Sequence, residues 1–233
     1  MLPPDPSEPI VKPFLYAVSF ALLPLVAPAA DLGCLTPEML AKGIAVKVPE
    51  GPPFTLVVDG SGATLTWQLS QMRMVSQFGR GGVAIVVEDG TFNGTVPDGI
   101  VGGPAGTVTH DTFRYSYPPR ARPGAGWQGR VGYRHDFDSA STGPQPTLEA
   151  KLDASYSFQA EKVVKISGCD YRIIPVEMQL SATDPEDGAV YTVQKRRLIH
   201  FPDQGFSVVT KAGPDNDVAI ELTWGIVGFA PLR

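Results

Sequence analysis

Five arginines, Arg114, Arg120, Arg122, Arg130 and Arg134, fall between Thr112 and Arg134 with no carboxylate among them. They are interleaved with Phe113, Tyr115, Tyr117, Trp127 and Tyr133. Guanidinium forks grip carboxylate or phosphate through paired hydrogen bonds, and aromatic faces stack on sugar rings or acyl groups. The whole chain carries a formal net charge of −5, so the local sign opposes the global one. The pattern predicts a surface made by Arg114, Tyr115, Tyr117, Arg120, Arg122, Trp127, Arg130 and Arg134. Its ligand would be anionic or amphipathic: a lipid headgroup, an acidic glycan or an acidic protein patch. The plainer account is two surface strands joined by the loop from Pro118 to Gly126, with arginine stems lying over buried aromatics.

Acid–base chemistry would have to use His110, His135 or His200, the three histidines of the chain. His110-Asp111 and His135-Asp136 are sequence neighbours, but neighbours on a strand point to opposite faces. No serine sits in a Gly-x-Ser-x-Gly elbow. Asp184-Pro185-Glu186-Asp187-Gly188 and Pro214-Asp215-Asn216-Asp217 collect oxygen ligands of the kind a hard cation takes, without EF-hand spacing. Acidic residues at hairpin tips explain both, because Asp and Asn bond their own backbone in turns. The reading therefore has no catalytic residue, no metal and no cofactor. Lys195-Arg196-Arg197 lies inside an alternating segment and reads as a solvated edge strand defended by charge.

The elements that must position these groups read in period two. Leu65, Trp67 and Leu69 alternate with polar neighbours, Val83, Ile85 and Val87 form another apolar face, and Tyr156 and Phe158, then Ile174, Val176, Met178 and Leu180, repeat the alternation. Val218, Ile220, Leu222, Trp224 and Ile226 line one side of another strand. Asp59-Gly60, Asp89-Gly90, Asn93-Gly94, Asp98-Gly99 and Asp187-Gly188 supply turn residues tolerant of positive φ. The stretch from Pro97 to Gly106 reads as a loop. One short helix is predicted after Thr36, with Pro37 in its first turn and Gly43 closing it. The fold class is thus all-β and mainly antiparallel: a sandwich, a strongly curved sheet or a partial barrel of roughly 10 to 13 strands. Trp67 and Trp224 are expected in its core.

Lys12, the apolar run from Phe14 to Val26 and the small residues Ala27 to Ala30 have the layout of a secretory signal peptide. The run is too short for a bilayer span, which takes about 20 apolar residues. The expected organisation is a signal peptide over 1–29 and one secreted β domain over 30–233. A weak internal repeat, opening at Gly33-Cys34 and again at Gly168-Cys169, would divide that domain at about 33–110 and 111–233. Loss of Asp5, Glu8 and Lys12 moves the net charge from −5 to −4. A mildly acidic chain gives no footing for nucleic acid. Cys34 and Cys169 are the only cysteines, and in an exported chain they pair by default. Asp31, three positions before Cys34, argues against acylation of that cysteine.

The signal segment, the cysteine just after it, and Gly168-Cys169-Asp170-Tyr171 followed by long strands resemble exported bacterial all-β proteins of unassigned function. The resemblance implies a compartment, periplasmic or extracellular, and a fold class; it implies no site residues. Three function classes follow. The first is a non-enzymatic envelope protein binding an anionic or amphipathic ligand or a partner protein. The second is a structural or assembly component of the envelope, and the third is a hydrolase using His110 or His135 with a nearby carboxylate. An apolar pocket beside the arginines would favour the first; a histidine and a carboxylate converging in a cleft would favour the third.

Overall fold

The computed structural model describes residues 34–49, 53–68, 71–93, 106–140, 142–213, 220–221 and 226–232. The predicted signal peptide, most of the glycine-rich loop from Pro97, the 214–217 acidic turn and Trp224 lie outside them. A single short helix, α1 (Pro37–Lys42), forms where its caps require. Thr36 Oγ1 accepts a hydrogen bond from the Met39 amide at 3.3 Å, and Gly43 closes the helix at φ 89°. Leu40 turns its side chain into the core.

The other regular elements among the described residues are strands. The first half runs β1 (Ile44–Lys47), β2 (Phe54–Asp59), β3 (Gly62–Gln68), β4 (Met72–Phe78), β5 (Ile85–Phe92), β6 (Thr107–Tyr115) and β7 (Gly126–Ser139). The second runs β8 (Gly143–Pro144), β9 (Leu148–Phe158), β10 (Lys162–Ile166), β11 (Cys169–Thr183), β12 (Val190–Phe201), β13 (Phe206–Gly213), β14 (Ile220–Glu221) and β15 (Gly228–Pro231). They make one 15-stranded antiparallel sheet in the order β14-β13-β12-β11-β9-β7-β6-β5-β4-β3-β2-β1-β15, with β10 beside β11 and β8 beside β7. The count exceeds the sequence expectation because β9 and β10 form an interrupted pair along one side of β11, and because β8 and β14 are two-residue strands.

The sheet curls on itself. β12 and β5 stand five places apart in the strand order, yet Arg196 and Glu88 meet across the interior. Ser207 on β13 donates to the Gly82 carbonyl between β4 and β5, and Tyr171 on β11 lies 5.7 Å from Phe229 on β15. Strand twist accumulated over many strands brings one end of a wide sheet round towards the other. The core includes Phe201 stacked on Phe206 at 4.6 Å, and Leu56, Leu65, Ile174 and Leu198 are fully enclosed. Cys34 and Cys169 are joined, tying the segment before α1 to the start of β11, where the Leu35 amide also donates to Tyr171 Oη.

Three local expectations change. Asp89-Gly90 is not a turn but the middle of β5. A Cβ on Gly90 would sit 2.6 Å from Thr109 Oγ1 on the neighbouring strand, so close packing explains the glycine. Lys195 to Arg197 is not a solvated edge, because β12 is paired on both sides and Arg196 is buried. Trp67 is half-buried rather than central, stacked on Phe54 at 5.3 Å against the core.

Candidate binding surfaces

Strand alternation divides the eight predicted ligand residues. On β6 and β7 the aromatics Phe113, Tyr115, Trp127 and Tyr133 point to the concave side, and Arg114, Arg130 and Arg134 point outward. Tyr117, Arg120 and Arg122 lie on the loop between the strands and are exposed. Arginines and aromatics adjacent in sequence therefore serve two surfaces.

The outward row changes character along β7. Arg134 Nε donates to Asp136 Oδ2 at 2.9 Å, and Arg134 Nη1 lies 3.7 Å from Glu149 on β9. The hydrogen bonds from Arg134 and from Thr147 hold the Asp136 carboxyl down to about 2. Nearer the loop, Arg130 is 82% exposed and has only a loose contact, 3.9 Å, with Asp153. Among the described residues, no carboxylate pairs with Arg114, Arg120 or Arg122. Arg114 and Arg130 on this face and Arg120 and Arg122 on the adjoining loop thus have one loose carboxylate contact among them, whereas Arg134, further along β7, is paired.

The loop that carries Arg120 and Arg122 is pinned. The Ser116 amide donates to the Arg130 carbonyl, Ala125 N to Arg122 O, Gly124 N to Gln159 O and Phe158 N to Ala125 O. Pro119 is buried beneath it. Tyr117 nonetheless stands 77% exposed.

The concave side is built differently. Arg196 Nη1 donates to Glu88 Oε1 at 2.8 Å and Nη2 to Oε2 at 2.5 Å, and Ser76 Oγ adds a third bond to Oε1 at 2.9 Å. Burial pushes the Glu88 carboxyl up, but the Arg196 charge and these hydrogen bonds outweigh it and hold it below its ordinary value. The same exchange runs in reverse for Arg196, whose burial is outweighed by Glu88. Beside the pair, the Tyr115 and Tyr156 hydroxyls share a hydrogen bond of 2.8 Å, and burial raises both phenols. The Trp127 ring packs edge-on against Tyr156 at 5.5 Å and covers Gly129, where a Cβ would come within 2.6 Å of the indole. Tyr115 and Trp127 are thus packing partners around a buried ion pair.

Both sequence-adjacent histidines find carboxylates, though on neighbouring strands. His135 Nδ1 lies 2.6 Å from Asp111 Oδ1, which also accepts from Tyr133 Oη at 2.8 Å. His110 Nδ1 lies 2.5 Å from Asp89 Oδ1 on the outer face. Register explains these partners: Asp111 sits opposite His135, and Asp89 opposite His110. Such dyads orient an imidazole, but no serine or threonine hydroxyl bonds to either ring among the described residues. His200, by contrast, is buried: its Nδ1 meets Ser207 Oγ at 3.0 Å, and burial lowers its pKa to about 4. Since Ser207 donates its single proton to Gly82 O, His200 Nδ1–H is the donor in that contact.

No protein-family model and no curated protein sequence matches the chain. Among solved structures, the chain is similar to the crystal structure of the hypothetical lipoprotein YmcC from Escherichia coli K12. The identity is 12%, the TM-score 0.36, and the match covers 73% of this chain and 77% of that one. At that distance the likeness transfers neither a site nor an activity.

Glu88 and Arg196 are not legible as a pair from the sequence. Period two marks Arg196 as facing away from Lys195 and Arg197, but only the curl of the sheet makes that face interior.

Proposed function

We propose that this is an exported, non-enzymatic envelope β protein that binds an anionic ligand at the loop end of its outer face. Arg114, Arg120, Arg122 and Arg130 are the binding residues, and Arg134, engaged with Asp136 and Glu149, is not. The observation that supports this reading is the imbalance of charge there, four arginines against the single loosely held Asp153. Guanidinium groups free of internal partners keep their hydrogen-bonding forks for an external carboxylate or phosphate. The disulfide between Cys34 and Cys169 supports export, because such bonds persist in oxidising compartments.

The test uses inorganic polyphosphate as the probe, with affinity measured by calorimetry over a range of salt. Each charge-assisted contact contributes about 1.5–3 kcal/mol, so Arg114→Ala together with Arg130→Ala should weaken binding at least tenfold. Added salt should weaken it further, since the contacts are exposed. Arg134→Ala should leave it nearly unchanged. Polyphosphate binding indifferent to the double variant and to salt would remove this reading and leave a structural role in the envelope.

A further inference from the structure

The same end of the molecule carries apolar groups that a soluble anion would not need. Tyr117 is 77% exposed at the tip of the loop, flanked by exposed Pro118 and followed by Arg120 and Arg122. The loop is anchored on both sides of this ring: four backbone hydrogen bonds to β7, to the end of β9 and within the loop hold Ser116, Arg122, Gly124 and Ala125, and Pro119 is buried. One of those bonds, Gly124 N to Gln159 O, joins the loop to the chain that leads into β10. There Lys162 is exposed and Val163 is 66% exposed, and Glu161 is engaged with Arg172 at 3.6 Å. Exposed aromatic and aliphatic side chains with arginine and lysine as near neighbours in the chain, on a loop anchored at both ends, match the boundary between acyl chains and anionic headgroups. Tyrosine puts its ring among the glycerol and upper acyl groups and keeps its hydroxyl in water, and the cations meet the phosphates.

We infer that the anionic ligand is a lipid surface, and that the chain docks on anionic membranes by this end, with Tyr117 entering the headgroup layer and Arg120, Arg122 and Lys162 contacting phosphate. This rests on the reading of the arginine end as an anion site. A carboxylate- or phosphate-bearing soluble polymer would satisfy the arginines but leave Tyr117 and Val163 unused, and so the membrane is the better fit.

The purified disulfide-bonded protein is co-sedimented with phosphatidylglycerol–phosphatidylcholine vesicles and, separately, with phosphatidylcholine alone. Binding is expected to the mixed vesicles only. Cationic residues near an anionic leaflet each contribute about 1 kcal/mol, so Arg120→Ala with Arg122→Ala should reduce partitioning roughly tenfold or more. Tyr117→Ser should reduce it several-fold without changing polyphosphate affinity, and Tyr117→Trp should retain it. All these positions are exposed, and an unchanged urea midpoint certifies that the fold is intact. Polyphosphate binding without vesicle binding, or vesicle binding insensitive to Tyr117→Ser, overturns the membrane inference while the anion site stands. Vesicle binding that needs Tyr117 but ignores Arg114 and Arg130 supports the membrane surface and removes those two arginines from the anion site. If neither probe binds, both conclusions fall.

Discussion

Arg196 with Glu88 and Arg134 with Asp136 are the same chemical pair on opposite sides of one sheet, and they do different things. Inside, both charges have lost water, so the two guanidinium–carboxylate hydrogen bonds and the Ser76 bond are what make their burial tolerable. Outside, Arg134 and Asp136 exchange water for each other at little net gain, and on the proposed reading their pairing withdraws one arginine from the anion site. The buried pair is therefore a matter of stability, and the exposed pair, on the proposed reading, a matter of which arginines stay open to a ligand.

The largest effect that tests this contrast is Glu88→Gln. Leaving Arg196 buried without its counter-charge should cost about 3–5 kcal/mol, read from urea unfolding, and Arg196→Met should do comparable harm. The double variant Glu88→Leu with Arg196→Met should recover most of the loss, because replacing both charges with apolar groups removes the desolvation cost too. Equal destabilisation by the double and single variants would show that the pair contributes something beyond mutual compensation.

Next in size is a pH effect from the same interior. His200 is held neutral by burial, with a folded pKa of about 4 against an ordinary 6.5. The unfolded chain therefore binds the extra proton first as pH falls. Stability should decline by about 3 kcal/mol between pH 6.5 and 4. Glu88, whose folded pKa is depressed, contributes above the ordinary carboxylate value and loses that contribution only at lower pH still. Unfolding free energy followed across this range should flatten between pH 6.5 and 4 in His200→Gln, and a slope unchanged by that substitution would place the titrating group elsewhere.

A smaller interior effect belongs to Tyr156→Phe, which removes the hydroxyl paired with Tyr115 and should cost about 1 kcal/mol in the same assay. Smallest of all is Arg134→Ala on the outer face, for which no shift in the urea midpoint is expected. A clear destabilisation there would dissolve the distinction between the two faces.

How far the sequence reached can be judged from β6 and β7. Alternation at Arg114, Tyr115, Trp127, Arg130 and Tyr133 is a local property of an extended chain, and so the strands were legible. The loop from Pro118 to Gly126 was legible for the same reason, through its prolines and glycines. The arginines and aromatics of these strands do not share one surface, because period two separates them. Asp89-Gly90 misled because a glycine demanded by a close neighbour across the sheet has the same appearance in sequence as one demanded by a turn.

The sequence by itself determined the all-β, mainly antiparallel class, the cap and stop of α1, and which side chains share a face, because each depends on backbone geometry over a few residues. The curl of the sheet decided everything that joins distant positions. Glu88 and Arg196 are 108 residues apart, and Ser207 and Gly82 are 125 apart. No local pattern encodes their meeting, because it arises from twist summed across the strands between them. Tertiary structure alone thus settled that the middle arginine of Lys195-Arg196-Arg197 faces a buried carboxylate and not water, and that Tyr117 stands exposed on the anchored loop that carries Arg120 and Arg122.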